Sequence, residues 1–156
     1  MIETISADLY NHVAKIIVDQ DINLLTADIR AALFTDSFVF DPEHTTWANV
    51  KANQISGDGY VSGGQAITHD GDIFEYDSAA GIYAYGKNAD SILWDNSSFI
   101  TKHVVIYEYI DNVGSPDDSS LLLGTKEFGE LIHTNNGSFT LVWDATIGIF
   151  RFRMNP

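Results

Sequence analysis

The chain has 156 residues, 45% of them hydrophobic and 12% aromatic, which fits a single domain (residues 1–156) able to build its own core. It carries 22 acidic against 8 basic side chains, formally −14, so it should repel phosphate backbones and anionic membranes, and nucleic-acid binding is set aside. No cysteine is present, which excludes disulfides and thiolate zinc sites.

The charge keeps the surface soluble and would also suit a basic partner or divalent cations. No apolar run approaches the ~20 residues of a spanning helix. Acidic Glu3 stands where a signal peptide would carry positive charge, and no apolar stretch follows before Asp8. The expectation is synthesis in the cytoplasm without standard export.

In chain order, Ile2, Ile5, Leu9, Val13, Ile16 and Ile17 recur at helical steps and predict an N-terminal helix over about 5–19, capped by Ser6 and ended by the turn-like Asp19 to Asn23. Asp28 to Phe34 reads as a strand, with Ile29, Ala31 and Leu33 on one side. Phe38 to Phe40 prolongs it or forms a short strand of its own before Asp41-Pro42. Glu43 to Asn49 suits one helical turn that presents Trp47 and Val50.

The stretch from Gln54 to Gly64 is the densest in turn residues, with Gly57, Gly59, Gly63 and Gly64 free to take positive φ. A nucleotide loop is rejected because the G-x-G-x-x-G order, the strand–turn–helix frame and the phosphate lysine are all missing. A bulged strand or hairpin is expected instead.

Ala66 to His69, Ile73 to Tyr76, Ile82 to Tyr85 and Ser91 to Trp94 are short β segments separated by Asp, Gly, Asn and Ser. Lys102 to Ile110 is the strongest central strand, apolar on both faces, and Asp111 to Ser120 is a polar loop. Leu121 to Phe128 is the next strand, and Thr134-Asn-Asn-Gly turns the chain. From Gly137 the residues alternate: Phe139, Leu141 and Trp143 share a side, then Phe150, Phe152 and Met154, with Arg151 and Arg153 opposite. The two arms predict a C-terminal β-hairpin. Together the elements predict a mainly β protein, an antiparallel β-sandwich with jelly-roll order as one form of it, and one N-terminal helix.

Chemistry is thin. His12, His44, His69, His103 and His133 stand at no metal-pair spacing. Asp58, Asp70, Asp72 and Asp77 cluster in sequence without the glutamate that completes a calcium loop, so structural calcium is open but not indicated. Ser62-Gly63-Gly64 is no nucleophile elbow, and the many carboxylates single out no glycosidase pair. Trp47, Trp94 and Trp143 read first as core, with a sugar-stacking platform as the rival. No catalytic, cofactor-binding or metal residue is assigned, and an enzyme is not expected.

The order of segments resembles a group of small tailed-bacteriophage virion proteins. The likeness runs through Asp28-Ile-Arg-Ala-Ala-Leu-Phe, Asn53-Gln-Ile-Ser-Gly-Asp-Gly-Tyr-Val-Ser-Gly-Gly-Gln, Ile92-Leu-Trp-Asp and Thr101-Lys-His-Val-Val-Ile-Tyr. It continues in Leu122-Leu-Gly-Thr-Lys-Glu-Phe-Gly, Asn136-Gly-Ser-Phe-Thr-Leu-Val-Trp and Gly148-Ile-Phe-Arg-Phe. It covers most of the chain; residues 70–91 and Asp111 to Ser120 fit it less closely. The resemblance implies a structural role in the virion, as a capsid decoration protein or a tail or neck component. Its partners would be the major capsid protein or other virion proteins. A homo-oligomer, in the form of a trimer, is expected by the same analogy. A carbohydrate-binding or host-adhesion module is the alternative from another class.

Overall fold

A computed structural model describes residues 1–153, so Met154 of the last alternating arm lies outside the described residues. The first strands are β1 (Ile2–Ile5) and β2 (Asp8–Leu9), followed by helix α1 (Val13–Val18) and β3 (Ile29–Phe34). After two 3-10 turns, Trp47–Asn49 and Lys51–Asn53, come β4 (Gln65–Ala66), β5 (Phe74–Asp77), β6 (Ile82–Tyr85), β7 (Ile92–Ser97) and β8 (Ile100–Glu108). Then follow β9 (Asp111–Asn112), β10 (Ser115–Pro116), β11 (Leu122–His133), β12 (Gly137–Trp143) and β13 (Phe150–Arg153). The protein is mainly β, as its alternating segments and turn residues require.

The largest sheet has the order β2-β11-β8-β3-β4. β8 is its centre, and Val104, Val105, Ile106 and Tyr107 are all fully buried, so both faces of this strand are covered. β3 lies antiparallel beside it with Leu33 opposite Val104 and Phe34 opposite His103. Ala31 and Ala32 are fully buried too, because the Gly64 backbone passes directly against them. A second sheet has the order β1-β12-β7, and a third the order β13-β6-β5. β9 and β10 form a two-residue hairpin within the predicted Asp111 to Ser120 loop.

One core joins these sheets. Phe139 on β12 meets Phe128 on β11 edge to face at 5.4 Å and stacks on Trp94 of β7 at 5.6 Å. Phe34 and Tyr107 hold Trp47 between them, at 5.7 and 4.4 Å, and the 3-10 turn that carries Trp47 is the predicted helical turn. Val50 is buried with it.

Three expectations are corrected. The helix over 5–19 is reduced to Val13–Val18, and the residues before it are strands. β1 runs parallel to β12, with Ile2 opposite Thr140 and Ile5 opposite Trp143. The β12 edge offers unpaired backbone groups, and satisfying them over a long range outweighs the helical spacing of the isoleucines. Ile2 is 69% exposed, so it belongs to no buried stripe. A six-residue helix is marginal alone, and packing of Val13 and Ile16 holds it.

The C-terminal hairpin is also absent: both arms are strands, but β12 pairs with β1 and β7, and β13 with β6. The connection explains the divergence. The Asp144 carboxylate accepts the N–H groups of Thr146 and Ile147 at 2.8 and 2.7 Å, closing a tight turn. Ile149 then donates its N–H to Tyr85 O at 2.7 Å, and the chain is drawn onto β6. Third, Phe38 to Phe40 forms no strand; Phe38 is instead buried against Phe34 and His103. The parallel β1–β12 pair and the division among four sheets depart from a purely antiparallel sandwich.

Candidate functional site

The five histidines are held apart in separate local roles. The His12 ring nitrogen lies 2.6 Å from Leu122 O, and His103, nearly buried, lies 2.9 Å from Thr35 O. His69 bonds Gly71 O within its own turn, and His44 sits 3.6 Å from Asp41. His133 is exposed at the end of β11. Of the aspartates in the glycine-rich half, Asp77 closes a turn with its carboxylate, while Asp70 and Asp58 bond through their backbone carbonyls. Asp77 accepts the N–H groups of Ala79 and Ala80, Asp70 O accepts from Asn88, and Asp58 O accepts the Ser98 N–H. Among the described residues no three His, Asp or Glu side chains are grouped to hold a metal ion.

The glycine-rich loop is fastened to the core. Gln54 Oε1 accepts the Tyr60 hydroxyl at 2.9 Å and the Gly63 N–H at 2.6 Å. Tyr60 Oη accepts the Leu33 N–H, and the Tyr107 hydroxyl donates to Gly63 O at 2.6 Å. Burial pushes both phenols upward, so both remain protonated donors. The amides of Tyr60, Gly63 and Gly64 are thus bonded to protein acceptors, at Gly57 O, Gln54 Oε1 and Val61 O, and do not form part of a phosphate cradle.

Trp47, Trp94 and Trp143 are all buried, the first two stacked on Tyr107 and Phe139, and the Trp143 indole donates to Asp90 O. A sugar platform built from these tryptophans is therefore not formed. The exposed aromatics lie elsewhere, on one face of the β13-β6-β5 sheet. Register places Phe74, Tyr85 and Phe150 in one row and Tyr76, Tyr83 and Phe152 in the next. Tyr85 and Phe150 are buried and stacked at 4.7 Å, while Tyr76, 57% exposed, stacks on Tyr83 at 4.5 Å. The rows lead from core to solvent.

Helix α1 lies over this face and leaves a groove of about 370 Å³. Ala14, Ile17, Val18 and Leu24 form one wall, and Phe74, Tyr83 and Phe152 the other. A second depression, lined by Gln20, Asn23 and Leu25, continues from it along the α1–β3 connection. Val18 and Leu25 are 79% and 65% exposed, although each is an apolar residue beside a ready apolar face. Among the described residues no acidic, basic or histidine side chain lines the groove, and its one phenol is that of Tyr83, so the arrangement suits holding a ligand better than acid–base chemistry.

The sequence reading located β5 and β6 but assigned this face no role. Alternation within each strand marks which residues share a side; only the long-range pairing of β13 with β6 assembles them. Among the described residues no helix is long and apolar enough to cross a membrane. No family model, curated protein or solved structure matches the chain.

Proposed function

We propose that this chain is a bacteriophage virion structural protein, a decoration protein that binds the outer shell in many copies. The observation that carries the reading is an exposed apolar groove on an acidic domain, in which His103 bonds the Thr35 carbonyl and the Asp77 carboxylate closes a turn. That combination fits a protein that docks and performs no bond-making. The resemblance of the segments from Asp28 to Phe152 to small tailed-phage virion proteins supports the same reading.

In this reading the β2-β11-β8-β3-β4 and β1-β12-β7 sheets act as the two layers of a β-sandwich, supported by the Phe128–Phe139 contact between them. Weak individual contacts would be multiplied across neighbouring shell subunits, and a trimer would multiply them further. A tail or neck position keeps the same class. Purified particles should contain the chain at a fixed copy number, and its absence from them overturns the proposal.

A second reading, a carbohydrate-binding module, is favoured by the exposed Tyr76–Tyr83 stack. A glycan array without binding removes it.

A further inference from the structure

We propose that a recess on the large sheet, between β2, β11 and β8 and the connection that follows β3, binds a basic side chain of a partner protein, with arginine the closest chemical match. The inference goes beyond the virion reading and uses no part of the groove at α1. Register builds the recess. Asp8 lies opposite Thr125, and two residues further along β11, on the same face, Glu127 lies opposite His103. The chain after β3 folds over them, and Asp36, Phe38, Val39 and Phe40 complete the lining of a space of about 370 Å³.

The polar side chains of this lining offer acceptors only. Asp8, Asp36 and Glu127 are carboxylates, which when ionised can only accept. Thr125 gives its hydroxyl proton to Val104 O at 2.8 Å, which leaves lone pairs. His103 is 9% exposed, with Nδ1 2.9 Å from Thr35 O; a carbonyl cannot donate, so Nδ1 carries a proton. In the neutral ring Nε2 is then a bare acceptor, without a partner among the described residues and open to solvent. Such a set calls for a ligand that only donates, as ammonium and guanidinium groups do. A sugar hydroxyl both gives and takes, so it matches less well. The rings of Phe38 and Phe40 line the same space and suit an aliphatic stem and a cation. Neighbouring lysines leave the site acidic. Lys126 stays 3.8 Å from Asp8, and Lys102, 3.6 Å from Glu127, donates to Phe128 O at 2.9 Å. Asp36 has no ion-pair partner among the described residues, so three carboxylates face two lysines. Among those residues no three His, Asp or Glu side chains are grouped for a metal ion, whereas the five N–H groups of a guanidinium reach separated acceptors.

The test titrates the intact chain with arginine capped as its acetyl methylamide, and with capped citrulline, the uncharged isostere. Capped arginine should shift the amide resonances of Asp36, Val39 and Glu127 saturably, and its binding should weaken as salt rises. Asp36→Asn and, independently, Glu127→Gln should each reduce its affinity about threefold or more. Both side chains are exposed and both changes are isosteric, so circular dichroism should show an unchanged fold. Asp95→Asn, an equal loss of charge on β7 in another sheet, should leave binding intact. Absence of a saturable shift with capped arginine, equal binding of capped citrulline, or an equal loss in Asp95→Asn overturns the proposal. Spermidine binding where capped arginine does not would give the site to a free polyamine, and calcium moving the same resonances would give it to a metal ion; either result also overturns it. So does self-association that Asp36→Asn abolishes, which would make the occupant a second copy of the chain.

Discussion

The hydroxyls of Ser97 and Thr134, both buried, lie 3.0 Å apart at the point where the chain twice passes between sheets. β7 ends at Ser97 before β8 begins, and β11 ends just before Thr134 on the way to β12. Thr134 Oγ1 also accepts the Phe99 N–H at 3.1 Å, and Thr134 N–H returns a bond to Phe99 O at 3.0 Å. Thr134→Val keeps the shape and deletes the acceptor, leaving a buried N–H unpaired. Urea denaturation should show a loss of about 1–3 kcal/mol, with Thr134→Ser close to wild type. Equal stability of the valine and serine variants would show that the hydroxyl does not tie the two crossings.

Gly64 has φ +76, and a Cβ there would fall 1.9 Å from the Ala31 carbonyl oxygen. The obstacle is backbone in a central part of the large sheet and has nowhere to go. Gly64→Ala should therefore cost more than about 3 kcal/mol. Gly114, at φ +83, has nothing within 4 Å of the same added atom, so Gly114→Ala should cost only about 1–2 kcal/mol. Thermal melts of the pair measure the difference, and similar losses would refute the steric argument.

This contrast indicates what was legible beforehand. Both glycines are visible as turn residues in the sequence, and period-two alternation located β3, β6, β8 and the Phe139, Leu141, Trp143 side of β12. Partners were not legible. Isoleucines at 2, 5, 9, 13, 16 and 17 fit a helix locally, and only the open edge of β12, more than a hundred residues away, makes Ile2–Ile5 a strand. The Asp144 turn likewise resembles a hairpin connection until Ile149 pairs with Tyr85. The groove was hidden for the same reason: its walls come from α1, β5, β6 and β13, and nothing local brings them together.

Two backbone N–H groups, from Ile147 and then Thr146, hold the Asp144 carboxyl below its ordinary value of 3.8. A carboxyl depressed in the folded state contributes stability above its unfolded pKa, and that contribution is lost as pH falls through the folded value. Asp144→Ala should be less stable than wild type at neutral pH, and the gap should close as pH drops below 3.8. Urea midpoints of both proteins across that range supply the comparison, and a gap independent of pH would exclude the ionised cap.

With all three tryptophans buried, indole emission should be blue-shifted and resist iodide quenching. Titration with oligosaccharides should leave it unchanged, whatever happens at Tyr76. A sugar-dependent change in tryptophan emission, with the fold intact by circular dichroism, would mean that an indole faces the ligand after all.

Phe139 touches Trp94 in its own sheet and Phe128 across from it, with Phe99 at 6.4 Å on the crossing between sheets. It is fully buried, so Phe139→Ala removes a ring that several elements share and leaves a cavity that rigid neighbours cannot close. The expected loss is about 3–5 kcal/mol. If the sheets form one cooperative unit, unfolding followed by tryptophan fluorescence and by far-ultraviolet circular dichroism should shift together. Separate transitions would mean that the β1-β12-β7 sheet unfolds without the larger one. A groove built on α1 and β13 would then depend on a subset of the contacts described, because Ile149 and Tyr85 join β13 to the core independently of Phe139.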